Sequence, residues 1–351
     1  MVGAGKKVFV AVSGGVDSSA AAAILLEAGF DCSGVFMITN GQYERAQVNA
    51  QEVAGRLGIR LYVLDLRKDF EDILDYFCGE YRRGRTPNPC AFCNKYIKFG
   101  KLWDFARDNG ADHLATGHYA RTLRHNNDVE LYSAVDGCKD QSYVLSMIDR
   151  DILPFIILPM GSYSKGQTRK LAAKLGLGTE QRMESQEICF IPGNDYVGVL
   201  EQRCPELARP GKIVDRSGKV LGEHNGVHRF TIGQRRGLRV AMGKPYYVVK
   251  IDAESNTVTL GPKEEVMQSK LSATGVNWLI DEPKSALRAK VKIRYNDSGA
   301  VSTIIPRDDG VVVEFDEPNL AITPGQLAVF YLQGKEGSRV AGGGWIEKAF
   351  D

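Results

Sequence analysis

Residues 7–12 form a short β-branched and aromatic run, a glycine pair follows at 14 and 15, and residues 18–28 are an alanine-rich helical stretch. This strand, loop and helix open a repeating pattern. It recurs as strand over 32–37, helix over 43–57, strand over 60–65, helices over 69–83 and 98–109, and strand over 113–116. Strands alternating with helices predict an α/β fold, a parallel sheet covered on both faces. Helical pattern continues over 167–175, with Ser164 as an N-cap whose hydroxyl accepts from a first-turn amide, and again over 195–202.

From about Pro210 the pattern changes to short alternating segments such as 246–251 and 257–260, punctuated by Gly and Asn. Runs at 290–294, 300–305, 311–315 and 327–331 recur at regular spacing, which predicts a small closed barrel. A chain of 351 residues exceeds one ordinary core. Three regions are expected: an α/β catalytic domain over 1–205, a small β-rich central domain over 206–270 and a β-barrel over 271–351.

Composition narrows the function classes. The chain is 43% hydrophobic without an apolar run near the roughly 18 residues that a membrane span needs, so no membrane partner is expected. Its start runs straight into an apolar strand with no signal-peptide pattern, which predicts a cytoplasmic protein. Seven cysteines in such a chain favour reactive or metal-binding thiols over a disulfide framework. A net charge of only +2 means that any nucleic acid must be held by local basic patches.

Ala11-Val-Ser-Gly-Gly-Val-Asp-Ser18 sits between the first strand and the first helix, where backbone amides and the helix dipole both favour phosphate. Gly14 and Gly15 let the backbone approach an anion closely. No Gly-Lys-Ser/Thr follows, so the loop is not a Walker motif and lacks that motif's phosphate-gripping lysine. It resembles instead the Ser-Gly-Gly-x-Asp-Ser loop of the ATP pyrophosphatases, which cleave ATP between its α and β phosphates. That resemblance implies attack of a substrate oxygen on the α phosphate, with Asp17 organising Mg²⁺ around the leaving pyrophosphate.

Cys90 and Cys93 stand three residues apart behind Pro87 and Pro89, a spacing that lets two thiolates face one metal or one thiol resolve another. Cys189 lies far along the chain in Ile-Cys-Phe-Ile-Pro, where a lone cysteine is more often a buried small hydrophobe. Cys32, Cys78, Cys138 and Cys204 lack ligand spacing and are expected to be packing residues.

Further blocks fall in order along the chain: Asn-Pro-x-x-x-Cys-Asn-Lys, Ala-Thr-Gly-His-Tyr-Ala-Arg, Lys-Asp-Gln-Ser-Tyr, Ile-Cys-Phe-Ile, Phe-Thr-Ile-Gly-Gln-Arg-Arg-Gly-Leu and Pro-Gly-Gln. With the loop they span residues 11 to 326, and the whole chain resembles the bacterial tRNA-specific 2-thiouridylases. The resemblance implies that Cys93 is the catalytic cysteine and Cys189 the carrier of a persulfide sulfur. It places ATP against Ala11, Val12, Ser13, Gly14, Gly15, Val16, Asp17, Ser18, Met37 and Gly117, and the target base against Asn88, Pro89 and Cys90. It assigns tRNA contacts to His118, Lys139, Asp140, Gln141, Arg294, Tyr295 and Gln326. Many members have Asp where this chain has Cys90, and that acid's role does not pass unchanged to a thiol. Cys90, Cys93 and Cys189 together offer three soft ligands for an iron–sulfur cluster with one iron open.

The implied reaction adenylates the C2 oxygen of the wobble uridine in the tRNA anticodon loop and then replaces it with sulfur. A persulfide's outer sulfur is anionic near neutral pH and suits the attack. It attacks directly, or Cys93 releases sulfide by forming a disulfide with Cys189. A cysteine desulfurase or sulfur-relay protein is the expected donor. Arg82-Arg-Gly-Arg85, Lys95 with Lys98, Arg235-Arg236 and the alternating Lys290-Val-Lys-Ile-Arg294 are candidate RNA contacts. An amidating ATP pyrophosphatase would share the loop but need neither Cys93 nor Cys189, and a non-catalytic RNA-binding protein would not need Asp17.

Overall fold

The structure, a computed structural model, describes residues 5–41, 43–126, 128–176, 188–240, 243 and 245–351. Packing divides the chain into two compact units, Met1–Asp72 with Cys90–Gln186 and Leu332–Ala341, and Ile73–Pro89 with Glu187–Tyr331 and Gly342–Asp351.

The first unit runs β1 (Lys7–Ala11), α1 (Val16–Glu27), β2 (Asp31–Ile38), α2 (Glu44–Leu57), β3 (Arg60–Asp65) and the start of α3 (Arg67–Arg82). It resumes with α4 (Pro89–Cys93), a π-helical stretch (Asn94–Lys101), α5 (Leu102–Asp108), β4 (His113–Ala115), the hairpin β5 (Ala120–His125) and β6 (Asp128–Ser133), α6 (Ser142–Leu145), β7 (Ile156–Ile157) and α7 (Lys165–Lys174). The strands β3-β2-β1-β4-β7 form one sheet, parallel at every pairing. Val8, Phe9 and Val10 are completely buried, as expected of a strand covered on both faces. Strand order reverses at β1, between β2 and β4, which opens a crevice beyond the carboxyl ends where α/β proteins bind ligands.

The alanine run of α1 has a packing reason. Ala20 and Ala21 lie in a buried cluster with Ile24, Tyr119 and Met160, while Val16 and Ala23 pack with Ala172 of α7. Small side chains bring α1 close to α7, so the first turns of both helices meet at the crevice.

The helix expected over 98–109 begins nine residues earlier, at Pro89, because α4, the π-helical stretch and α5 follow one another without a break. The prolines do not hold this region in a loop. At the first helical position a proline's missing N–H has no helical acceptor to lose, so Pro89 starts the helix.

The second unit holds α8 (Tyr196–Arg203), whose Leu200 packs with Phe77, Cys78, Tyr81, Ile191 and Cys204. Its small sheet has the order β10-β11-β8-β9, from β8 (Gly211–Val214), β9 (Val220–His224), β10 (Tyr247–Asp252) and β11 (Thr257–Gly261). Six strands then close a barrel: β12 (Met267–Trp278), β13 (Leu287–Lys292), β14 (Ala300–Arg307), β15 (Gly310–Leu320), β16 (Leu327–Gly334) and β17 (Gly337–Phe350). They follow the order β12-β15-β14-β13-β16-β17, and the β12–β17 pairing closes the ring. Among the described residues no helix is long and apolar enough to cross a membrane.

Ser164 caps α7 in a capping box, its hydroxyl accepting from the Gln167 amide while the Gln167 side chain accepts from the Ser164 amide at 2.7 Å. Ser164→Ala should therefore destabilise the α/β unit by about 1 kcal/mol. A lower urea midpoint for that unit is expected, and an unchanged midpoint contradicts the capping role.

Candidate active site

The loop after β1 is shaped by two glycines that admit no side chain. Gly14 has φ +76°, and a Cβ there would lie 2.6 Å from the Cβ of Asn49. Gly117, just past β4, passes so close to α1 that a Cβ would lie 2.7 Å from the Ser18 nitrogen and 2.9 Å from the Asp17 carbonyl carbon. The sheet edge thus touches the first turn of α1. Gly15, the N-cap of α1, brings no side-chain hydrogen bond, and the helix dipole points its positive end at the crevice. Ser18 Oγ accepts from the Ser13 amide at 3.1 Å and donates to the Gly15 carbonyl at 3.2 Å, which fixes the loop's curvature. Ala11 and Met37 stand at the carboxyl ends of β1 and β2, Val12 and Val16 being buried on either side of the loop.

Asp17 is held by two groups from distant parts of this unit. Lys165 Nζ, from the first turn of α7, lies 2.7 Å from each carboxylate oxygen. The Tyr119 hydroxyl donates to Asp17 Oδ1 at 2.7 Å and also lies 2.9 Å from Thr168 Oγ1. With side-chain exposures of 32% for Asp17 and 11% for Lys165, this pair is partly withdrawn from water and is not an ordinary surface salt bridge. Sequence reasoning missed Lys165, although it directly follows the recognised cap Ser164. It supplies from α7 the cation that the loop itself lacks. Tyr119 was likewise overlooked inside the Ala-Thr-Gly-His-Tyr block.

The adjoining polar residues serve this arrangement. Gln141 accepts from the Tyr119 amide at 2.9 Å through its side chain, and its own amide donates to the Tyr119 carbonyl at 2.7 Å. Asp140 accepts from the amides of Ala134 and Ser142 at 2.9 and 3.1 Å. Lys139 closes a turn through its amide on the Asp136 carbonyl. His118 is buried between Thr116 Oγ1 at 2.7 Å and Lys98 Nζ at 3.3 Å. An ammonium only donates, so His118 Nε2 accepts from Lys98 and Nδ1 carries the proton toward Thr116. Burial first, and the Lys98 charge second, push this imidazole well below the usual histidine range. A pKa lower folded than unfolded stabilises the fold above about pH 6.5, and the contribution is lost on acidification.

The cysteines fall into distinct environments. Cys90 and Cys93 lie on α4, Cys90 exposed and Cys93 half-buried, where α-helix passes into the π-helical stretch, a distortion that often marks functional sites. Cys189, in the second unit, is exposed, and its neighbours Phe190 and Ile191 are anchored against Phe77. Exposure argues against a packing role for Cys189. Of the segment 183–192, residues 183–187 lie outside the described residues. Cys32, Cys78 and Cys204 are buried as expected, but Cys138 is exposed because it belongs to the turn after Asp136, whose carboxylate accepts its amide. Among the described residues of either unit, no group of three or more His, Cys, Asp or Glu stands ready for a metal.

Asn88 and Pro89 belong to the second unit, and Asn88 is buried with its amide 3.3 Å from the Tyr76 hydroxyl. Arg294 and Tyr295 are exposed in the turn between β13 and β14. Lys290 and Lys292 alternate along β13 with buried Ala289 and Val291, as the pattern predicted. Each arginine of Arg82-Arg-Gly-Arg85 has an acidic partner, and Arg82 and Arg83 remain exposed. Arg82 pairs with Glu206 at 2.8 Å, Arg83 with Glu80 at 3.2 Å and Arg85 with Glu347 at 2.6 Å. Arg82 and Arg85 take acidic partners far along the chain, and Arg83 pairs with an acid one helical turn earlier.

Comparison with known proteins places this geometry. Three families match in succession: the tRNA methyl transferase HUP domain over residues 6–193, the tRNA methyl transferase PRC-barrel domain over 198–262 and the aminomethyltransferase beta-barrel domain over 268–346. The tRNA-specific 2-thiouridylase MnmA of Carboxydothermus hydrogenoformans is 47% identical, the alignment covering 98% of each chain. The chain belongs to the tRNA-specific 2-thiouridylase family. The MnmA proteins of Syntrophotalea carbinolica and Acetivibrio thermocellus are 45% and 43% identical over 97% of this chain and 98% and 99% of their own. All three relatives span the barrel as well as the α/β unit, so the family relation includes both.

The Asp17–Lys165 pair can be weighed directly. In a double-mutant cycle of Asp17→Asn and Lys165→Met, unfolding free energies should show a coupling of about 1–3 kcal/mol. Additivity within experimental error would contradict a specific pair.

Proposed function

We propose that this chain uses ATP to adenylate the C2 oxygen of the wobble uridine of tRNA and then replaces that oxygen with sulfur, giving 2-thiouridine, AMP and pyrophosphate. The reading rests on one observation above others: in a member of the 2-thiouridylase family, the loop 11–18 presents Asp17, aligned by Lys165 and Tyr119, at the switch point of a parallel sheet. ATP lies along Ala11–Ser18, Met37 and Gly117, its phosphates against the glycines and the positive end of α1. Lys165 is within reach of the same phosphates and exchanges its partner Asp17 for them as the nucleotide enters. The hard carboxylate oxygens of Asp17 suit Mg²⁺, which supplies charge neutralisation at the departing pyrophosphate.

The uridine meets the segment Asn88–Cys90 after leaving its stack, a step made cheap because anticodon-loop bases are unpaired. His118, Lys139, Asp140, Gln141, Arg294, Tyr295 and Gln326 are assigned to the tRNA side. A sulfur donor protein, a cysteine desulfurase or a relay carrier, loads Cys189 as a persulfide. Its outer sulfur bonds to C2 as AMP departs with the original oxygen, and the Cys93 thiolate then attacks the Cys189 sulfur. That leaves 2-thiouridine and a Cys93–Cys189 disulfide, which an external thiol must reduce before the next turnover. Cys93 attacking first, to release sulfide as the nucleophile, ends with the same disulfide.

Cys90, Cys93 and Cys189 are the thiolates that would hold an iron–sulfur cluster, and the persulfide route needs none. The experiment combines 2-thiouridine analysis with iron and sulfide assays on protein purified without oxygen. Cys93→Ser and Cys189→Ser should abolish thiolation, while Cys90→Ser retains within about tenfold of the parent activity and no iron is required. Loss of bound iron together with thiolation in all three variants would contradict the persulfide route.

A further inference from the structure

Residues Thr86-Pro-Asn-Pro89 carry two prolines among four residues, so this stretch cannot pair as a strand or join the preceding helix. Its main chain retains only two N–H groups, at Thr86 and Asn88, and its polar atoms must find partners outside any regular element. The second unit supplies them. The Thr86 amide donates to the Pro324 carbonyl at 3.0 Å, and the Asn88 amide donates to the Tyr76 hydroxyl at 3.3 Å. Gln326 Nε2 donates to the carbonyls of Thr86 and Pro87 at 3.0 and 2.9 Å. Both partners are acceptors, so only the amino group of the amide can face them.

The surroundings hold this turn at a fixed distance. Gly325 has φ +90° and comes so close that a Cβ would lie 2.7 Å from the Thr86 oxygen. Its amide donates to the Ile346 carbonyl at 2.9 Å, and the Ile346 amide donates to the Gln326 carbonyl at 2.8 Å, tying the turn to β17. Arg85 reaches the same strand through the Ile346 carbonyl at 3.1 Å and Glu347 at 2.6 Å. Trp345 packs against Tyr76 with ring centroids 5.6 Å apart. The Thr86 hydroxyl also meets the Thr231 hydroxyl at 3.3 Å, and the barrel turn and α3 supply the partners of the segment's two amides.

We infer that Gln326 is a positioning residue: through two hydrogen bonds to the Thr86 and Pro87 carbonyls, the Pro-Gly-Gln turn of the barrel sets the register of Asn88 and Pro89. The barrel is then a structural part of the segment that meets the target base, in addition to any surface it offers to RNA. The inference rests on the proposed use of Asn88–Cys90, and it assigns Gln326 a role toward its own chain in place of, or beside, a contact with tRNA.

The test uses the full chain with Gln326→Glu, which keeps the shape but sets a carboxylate against two carbonyl oxygens, and Gln326→Leu, which removes the donors without adding charge. Hydrogen exchange at the Thr86 and Asn88 amides, measured without RNA, should accelerate about tenfold or more in either variant. Thiolation at saturating tRNA should fall about tenfold, while the Kd for tRNA rises less than about threefold. Should one variant fail to fold, the other decides alone. Unchanged exchange at both amides overturns the inference, as does a Kd raised about tenfold with an unchanged rate at saturating tRNA. If the parent protein does not thiolate tRNA, the proposed function fails, and the exchange measurement still decides the role of Gln326.

Discussion

The carboxylate of Asp17 is the point on which the α/β unit converges. It projects from the first turn of α1 and is held by an ammonium from α7 and a phenol from the stretch after β4, groups 148 and 102 residues away along the chain. Each of those partners has its own support. The capping box at Ser164 fixes the start of α7, and Gln141 grips the main chain at Tyr119. Close packing makes this convergence possible, since Gly117 and the alanines of α1 leave no room for larger side chains. The Lys165 charge rests on Asp17, so the positive group that the Ser-Gly-Gly-Val-Asp-Ser sequence lacks is beside it.

Much of this was legible in the chain. The alternation of strand and helix, the loop, the cap at Ser164 and the barrel all follow from periodicity and turn chemistry acting over a few residues. Lys165 was not, because a lysine at the start of a helix resembles any solvated charge until tertiary packing brings Asp17 to it. The partners of the arginines at 82 and 85 were hidden for the converse reason: sequence displays the charge but not the distant acids Glu206 and Glu347 that pair with it. Strands β12 and β17 were not read from sequence, β17 because Gly342-Gly-Gly344 at its middle looks like a loop. Those glycines are demanded by close crossing, since a Cβ on Gly342 would strike the Asn277 carbonyl and one on Gly344 would lie 2.9 Å from the Val276 side chain.

The second unit answers a different constraint. Two prolines ahead of Cys90 and Cys93 remove the chain's ability to satisfy its own main chain there, and a barrel turn with α3 takes over that task. The resemblance named Gln326 and Asn88 separately, as contacts with RNA and with the base. Their connection through Thr86 and Pro87 is a property of the folded chain, and no spacing in the sequence announces a pair 240 residues apart.

In the proposed reaction the uridine oxygen itself attacks the α phosphate of ATP and leaves with AMP. This is tested most directly with tRNA carrying ¹⁸O at C2 of its wobble uridine, ATP and a persulfide donor, with AMP and pyrophosphate analysed by mass spectrometry. The account predicts that AMP gains the label in step with 2-thiouridine formation and that pyrophosphate stays unlabelled. Unlabelled AMP accompanying full thiolation would contradict it.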